Sequence, residues 1–187
     1  HVKFAPWEGS GYASVQKRKS GVLPNNVRLL VLGESHYGVD NDRLDTTKFV
    51  VKCFLKGREN PRFFGAVTST LASSYYGDLK DGEIQSVFND IAFYNFVQES
   101  VGPGASTVPS REAFTSSYDA FFEILTNLAP THVWVCGRRL WNNMPDFHFI
   151  DQGTIETGGK KAEKGKYLVD ALKVHCLAPQ HPSRGYS

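Results

Sequence analysis

The run Val27-Arg28-Leu29-Leu30-Val31-Leu32 constrains the fold more than any other segment. Its apolar residues are consecutive rather than alternating, so an extended chain here turns apolar side chains to both sides. A strand of that kind belongs inside a sheet that is covered on both faces, and such sheets are mainly parallel. The run stops on Gly33 and is followed at once by the polar Glu34-Ser35-His36. Three further runs have the same build. Ile91-Ala92-Phe93-Tyr94 ends on Asn95, His132-Val133-Trp134-Val135-Cys136 ends on Gly137, and Leu172-Lys173-Val174-His175-Cys176-Leu177 leads to His181.

Helical spacing fills the intervals. Helices are expected over 45–55, from Pro61 to about Tyr76 with Asn60 as N-cap, over 84–89, over 111–128 and over 138–144. The fourth is the clearest. Ser110 caps it, Phe114, Tyr118, Phe121, Phe122 and Leu125 form its apolar stripe, and Pro130 stops it. Phe147 to Ile150 reads as an edge strand and Gly158 to Lys166 as a polar turn or hairpin tip. Strands alternating with helices give the α/β class: a three-layer α/β/α sandwich around a central, mainly parallel four-stranded sheet. Its strands are expected near 28–32, 91–94, 132–136 and 172–177. One domain suits 187 residues, with 1–26 as an N-terminal arm that carries Lys17-Arg18-Lys19.

Composition removes several classes. An apolar content of 41% is that of a globular chain, not a disordered one. A net charge of +2 is too small to argue for nucleic acid by itself. Cys53, Cys136 and Cys176 are scattered without a CxxC pair. They are expected to be reduced thiols in a cytoplasmic protein without structural metal, disulfide or cofactor. The sequence has no secretory signal and no apolar run of membrane length, so no membrane partner is expected. The first residue, His1, reads as a trimmed start. The last, Ser187, falls directly on a motif, so either a further segment follows or the motif closes the fold. His132, His148 and His175 lie in strand-like runs and read as structural. The lysines between 160 and 166 read as a solvated tip.

In a parallel sheet the carboxyl ends of the strands meet at one crevice, where ligands bind. Glu34, Ser35, His36, Tyr37, Asn95 and His181 each follow an expected strand, so they are expected to line one pocket. These motifs, in this order and at this spacing, resemble the uracil-DNA glycosylase superfamily. Gly33-Glu34-Ser35-His36-Tyr37 resembles the family's first motif, Gly-Gln-Asp-Pro-Tyr, and His181-Pro182-Ser183 resembles the start of its second. Phe93-Tyr94-Asn95 resembles the strand that delivers the base-reading Asn. Pro130 through Gly137 resembles the strand before a glycine turn.

The resemblance implies a monomer that binds a uracil-like or deaminated base in single- or double-stranded DNA and hydrolyses its N-glycosidic bond. His181 would stabilise the departing base anion. Asn95 would read the base edge with its paired donor and acceptor, Tyr37 would exclude a methyl group, and Phe49 would stack on the base. Ser183, Arg184 and Tyr186 would hold the DNA, with Arg184 or Tyr186 as the wedge. The family Asp that orients water is replaced by Ser35, and the family Pro by His36. Glu34 or His36 would then hold the water, and excision would be slow or altered. Two other readings come from the same residues. Gly33-Glu34-Ser35 is close to the Gly-Asp-Ser of GDSL-type esterases, with His181 as base. However, Ala178 stands where the triad acid belongs, and Tyr37 breaks G-x-S-x-G. The third reading is a non-catalytic nucleic-acid or nucleotide binder on the same fold.

Overall fold

The computed structural model describes residues 1–39, 41, 43–57, 61–104, 107–157 and 159–179. The four apolar runs form strands: β2 at Leu29–Gly33, β3 at Ala92–Asn95, β4 at His132–Val135 and β7 at Leu172–Ala178. They lie side by side and parallel, in the order β3-β2-β4-β7. Leu30, in the centre, pairs with Ala92 on one side and Val133 on the other.

The sheet is wider than the expected four strands. β1, Trp7–Glu8, joins β3 antiparallel. Beyond β7, β6 (Lys160–Val169) and β5 (Phe149–Thr157) extend the sheet antiparallel, which makes it seven-stranded and mixed. The segment read as a polar tip is therefore mostly strand, and the edge strand runs to Thr157. The reason is visible in β6. Gly165, Tyr167 and Val169 are buried, whereas Lys164 and Leu168 are exposed and Lys166 is half-buried. A strand with one wet face looks polar to a reading that searches for apolar runs.

The period-two alternation of β2 divides the core. Leu30 and Leu32 join Tyr94, Val133, Val135, Phe121 and Leu125 on one face. Leu29 and Val31 join Phe93, Trp134, Phe54, Phe64 and Phe88 on the other. Helices α1 (Thr46–Leu55), α2 (Pro61–Ala72) and α3 (Asp81–Asp90) supply the second face. Helices α4 (Arg111–Thr115) and α5 (Tyr118–Leu128) supply the first. Full burial of side chains such as Leu30 and Leu32 contributes about 1.5–3 kcal/mol each.

The helix expected over 111–128 is two helices. Ser110 does cap it, its Oγ accepting from the Ala113 N–H at 3.1 Å. It breaks at Ser116-Ser117, where the Ser117 hydroxyl donates to the Ala113 carbonyl at 2.7 Å and accepts from the Gln98 N–H at 3.0 Å. The third helix starts earlier than expected, at Asp81, where Glu83 accepts from the Lys80 N–H at 2.9 Å. The last, α6, is the single turn Arg138–Trp141. Asn60, the expected cap of α2, lies outside the described residues.

Residues 1–26 are part of the fold rather than a loose arm. Phe4 and Tyr12 are fully buried. Arg18 donates to the carbonyls of Gly11, Pro24 and Val27, so the basic run is only partly a solvated face. Asp90 accepts from the Lys19 and Ser20 N–H groups and the Ser20 hydroxyl. Among the described residues no helix is long and apolar enough to cross a membrane.

Candidate active site

The strand order places the crevice. From β2 the chain passes through α1–α3 to β3 on one side, and from β4 it passes through α6 and the hairpin to β7 on the other. Neighbouring strands whose connections leave in opposite directions open a crevice at their carboxyl ends. Here those strands are β2 and β4.

From β2 come Glu34, Ser35, His36 and Tyr37, and from β4 come Gly137 and α6. Gly137 has φ +121°, a conformation that glycine adopts freely, and this turn swings α6 back across the crevice. Arg139 of α6 then meets Glu34 with two hydrogen bonds, Nε to Oε2 at 2.8 Å and a second from the guanidinium to Oε1. The Glu34 side chain is only 11% exposed, against 45% for Arg139. The Glu34 carboxylate, with help from Tyr37, strengthens the hold of the guanidinium on its proton. Arg139 is the residue that the sequence analysis missed. Only its position just after a strand-ending glycine could have pointed to it.

Behind this pair is a closed polar cluster. Ser35, His36 and Asn95 are all buried. The Asn95 Nδ2 lies 3.2 Å from the Ser35 carbonyl and 3.2 Å from His36 Nδ1. His36 Nε2 lies 2.9 Å from Thr47 Oγ1 on α1. If Asn95 donates, Nδ1 is the acceptor and Nε2 carries the proton toward Thr47. Phe4 sets its ring edge-on to the imidazole, with centroids 5.1 Å apart. Burial lowers the His36 pKa to about 4, so at neutral pH the ring is uncharged. Gly33 is needed for close approach, since a Cβ there would come within 2.1 Å of Asn95 Oδ1. The loops after β2 and β3 are zipped together by Phe96 N–H to Gly33 O, Val97 N–H to Glu34 O and Val101 N–H to His36 O.

The structure therefore brings Glu34, Ser35, His36, Tyr37 and Asn95 to one sheet edge but not into one open pocket. Glu34 and the half-buried Tyr37 face Arg139, while the other three bond to one another's surroundings. Ser35 Oγ is buried and has no partner among the described residues. Both ring nitrogens of His36 are engaged elsewhere, so no serine–base pair forms there. Phe49 is 38% exposed on α1, with the Arg43 guanidinium 3.7 Å above its ring. It lies two residues from Thr47, about 200° around the helix, and so on the side away from His36. His181, Ser183, Arg184 and Tyr186 lie outside the described residues. A cavity of about 690 Å³ lies elsewhere. It is lined by Trp7, Lys19, Lys52, Leu55 and Asn89 among others, and shares no residue with the strand-end cluster. Among the described residues no cluster of His, Cys, Asp and Glu has the makings of a metal site.

No protein-family model matches this chain, and no curated protein matches it significantly.

Proposed function

We propose that the chain is a uracil-DNA glycosylase-like protein, built as an α/β/α sandwich around the parallel β3-β2-β4-β7 unit. It acts as a monomer on a uracil-like or deaminated base in DNA. One observation carries the reading: a nearly buried carboxylate, Glu34, is held by the Arg139 fork across the crevice at the carboxyl ends of β2 and β4.

Hydrolysis of an N-glycosidic bond sends the bonding electron pair out with the base, while water adds to the anomeric carbon and gives up a proton. Glu34 is the group suited to hold that water and take its proton. It is the only acid of the first motif, and the Arg139 fork fixes its direction. His36 is a positioning residue, because both its nitrogens are engaged within the protein. His181, three residues after β7 in sequence, takes the role that the resemblance gives it, donation to the departing base anion. Asn95 reads the base edge only by exchanging its bonds to Ser35 and His36 for bonds to the base. That exchange fits slow or altered excision. The esterase reading has less support, because Ser35 Oγ is buried and has no hydrogen-bond partner among the described residues.

The test is a panel of single- and double-stranded oligonucleotides carrying uracil, hypoxanthine, xanthine or a mismatched base. After incubation, alkali-labile abasic sites are counted. Wild type should release at least one of these bases. Glu34→Gln and His181→Ala should each lower the rate by about 100- to 1,000-fold. Ester hydrolysis through Ser35 without base release would replace this reading with the esterase. Tight binding without release would replace it with the non-catalytic binder.

A further inference from the structure

The helices that cover the second face of the sheet stop at β4. Trp134 and Cys136 are the last residues on that face to join the α1–α3 core. On β7 and β6 the covered side is the first face, where Val174, Cys176, Ala178, Tyr167 and Val169 meet α5. Their neighbours in sequence point the other way. Register places Lys164 opposite Leu177, Lys166 opposite His175, and Leu168 opposite Lys173. On β5, Ile150 pairs with Lys166 and Ile155 with Ala162, so they share that side. Ile150, Ile155, Leu168 and Leu177 are each more than 40% exposed.

Charge is segregated across this half-sheet. Lys164, Lys166 and Lys173 stand on the open side, and none of them forms an ion pair among the described residues. The carboxylates of the hairpin belong to the other side. Asp151 pairs with Gly165, Glu156 with Lys161, and Glu163 is held by Arg138 at 2.9 Å. The hairpin also overruns the sheet edge. Glu163 is level with Ala178, the last residue of β7, so β6 begins three residues, roughly 10 Å, beyond it. That is the carboxyl edge, where Glu34 and Arg139 lie.

We infer that the open face of β5-β6-β7 is a second DNA-contacting surface, with Lys164, Lys166 and Lys173 on the phosphates and the exposed aliphatic side chains against sugars and bases. The inference rests on the glycosylase reading for the identity of the polyanion. Geometry favours a nucleic-acid strand. Lys164 and Lys166, two residues apart on one strand, are separated by roughly 7 Å, a spacing close to that of successive phosphates. A strand lying along the hairpin runs toward the crevice edge.

The experiment measures binding of fluorescein-labelled 20-mer oligonucleotides, single- and double-stranded, by anisotropy across a salt series. It compares wild type, the triple variant Lys164→Gln/Lys166→Gln/Lys173→Gln, and the control Lys48→Gln/Lys52→Gln/Lys56→Gln in and just after α1, which packs at the β1-β3 end of the sheet. All six lysines lie outside the buried core, and thermal unfolding checks that both variants fold. The hairpin variant should bind about tenfold or more weakly at moderate salt. Its slope of log affinity against log salt should fall by about 2 for single strands and about 3 for duplex. The control should change affinity less than about twofold. An unchanged salt slope in the hairpin variant overturns the inference, as does a larger loss in the control. So does lysine-dependent binding to phosphatidylserine vesicles in place of DNA. Base release by wild type with DNA affinity unaffected by the hairpin variant would sink this inference and leave the glycosylase reading standing. Lysine-dependent DNA binding without base release would do the reverse.

Discussion

The buried imidazole of His36 makes a prediction of its own. Its pKa is lowered by burial from 6.5 to about 4, so the folded protein prefers the neutral ring. A depressed folded pKa contributes stability that is complete above the unfolded value and is lost as pH falls through the folded one. The window is therefore pH 6.5 down to about 4, and the whole effect is on the order of 3 kcal/mol. Urea unfolding at pH 7, 6 and 5 should show wild type losing on the order of 1 kcal/mol per pH unit, a loss that is absent from His36→Gln. The His132 pKa is lowered in the same direction, by burial and by the neighbouring His175, but His132 is present in both proteins and cancels in the difference. Parallel curves for the two proteins would mean that the ring is not held neutral. The sequence made His36 legible as a residue at a strand end but not as a buried one. Its burial comes from Phe4 of the N-terminal segment and Thr47 of α1, which only the fold brings against the ring. Arg139 escaped notice for the same reason, because its partner is more than a hundred residues earlier.

At the scale of elements, legibility followed how many faces were dry. β2, β3 and β4 are buried on both sides, and their apolar runs announced them. β6 buries one side, and its lysines disguised it. The break between α4 and α5 was also hidden, because the apolar stripe continues through it. Only Ser116-Ser117 interrupts the pattern, and the interruption has a use. The Ser117 hydroxyl joins the end of α4 to the loop after β3 by its bonds to Ala113 O and Gln98 N–H. Gln98 in turn donates to the Asn95 carbonyl at 2.8 Å and accepts from the Lys3 and Phe4 N–H groups. Ser117→Ala leaves the half-buried Gln98 N–H without its acceptor and should cost about 1–3 kcal/mol by chemical denaturation. If it costs nothing, the helix break is not what holds this loop.

Across the whole molecule, α6 joins two parts that differ in cover. One part, from β3 to β4, carries helices on both faces and ends in the crevice. The other, from β7 to β5, has one open face. Arg138 reaches Glu163 on the hairpin and Arg139 reaches Glu34 at the crevice, so adjacent side chains of one helical turn serve both parts. Ion pairs with an exposed partner are worth at most about 1 kcal/mol, so neither arginine is needed for the fold. That separates structural from chemical roles. Arg139→Gln should lower stability by no more than about 1 kcal/mol in thermal unfolding. It should also cut single-turnover base release by about 100-fold, because Glu34 loses the fork that fixes its direction. Arg138→Gln should cost as little stability and leave release at saturating DNA within about threefold, since its partner is on the hairpin and not at the crevice. If Arg139→Gln loses several kcal/mol, with activity falling only in step with the folded fraction, the pair is a bolt between elements. A large loss of rate in a protein that still melts where wild type does would make Glu34 and Arg139 one chemical unit.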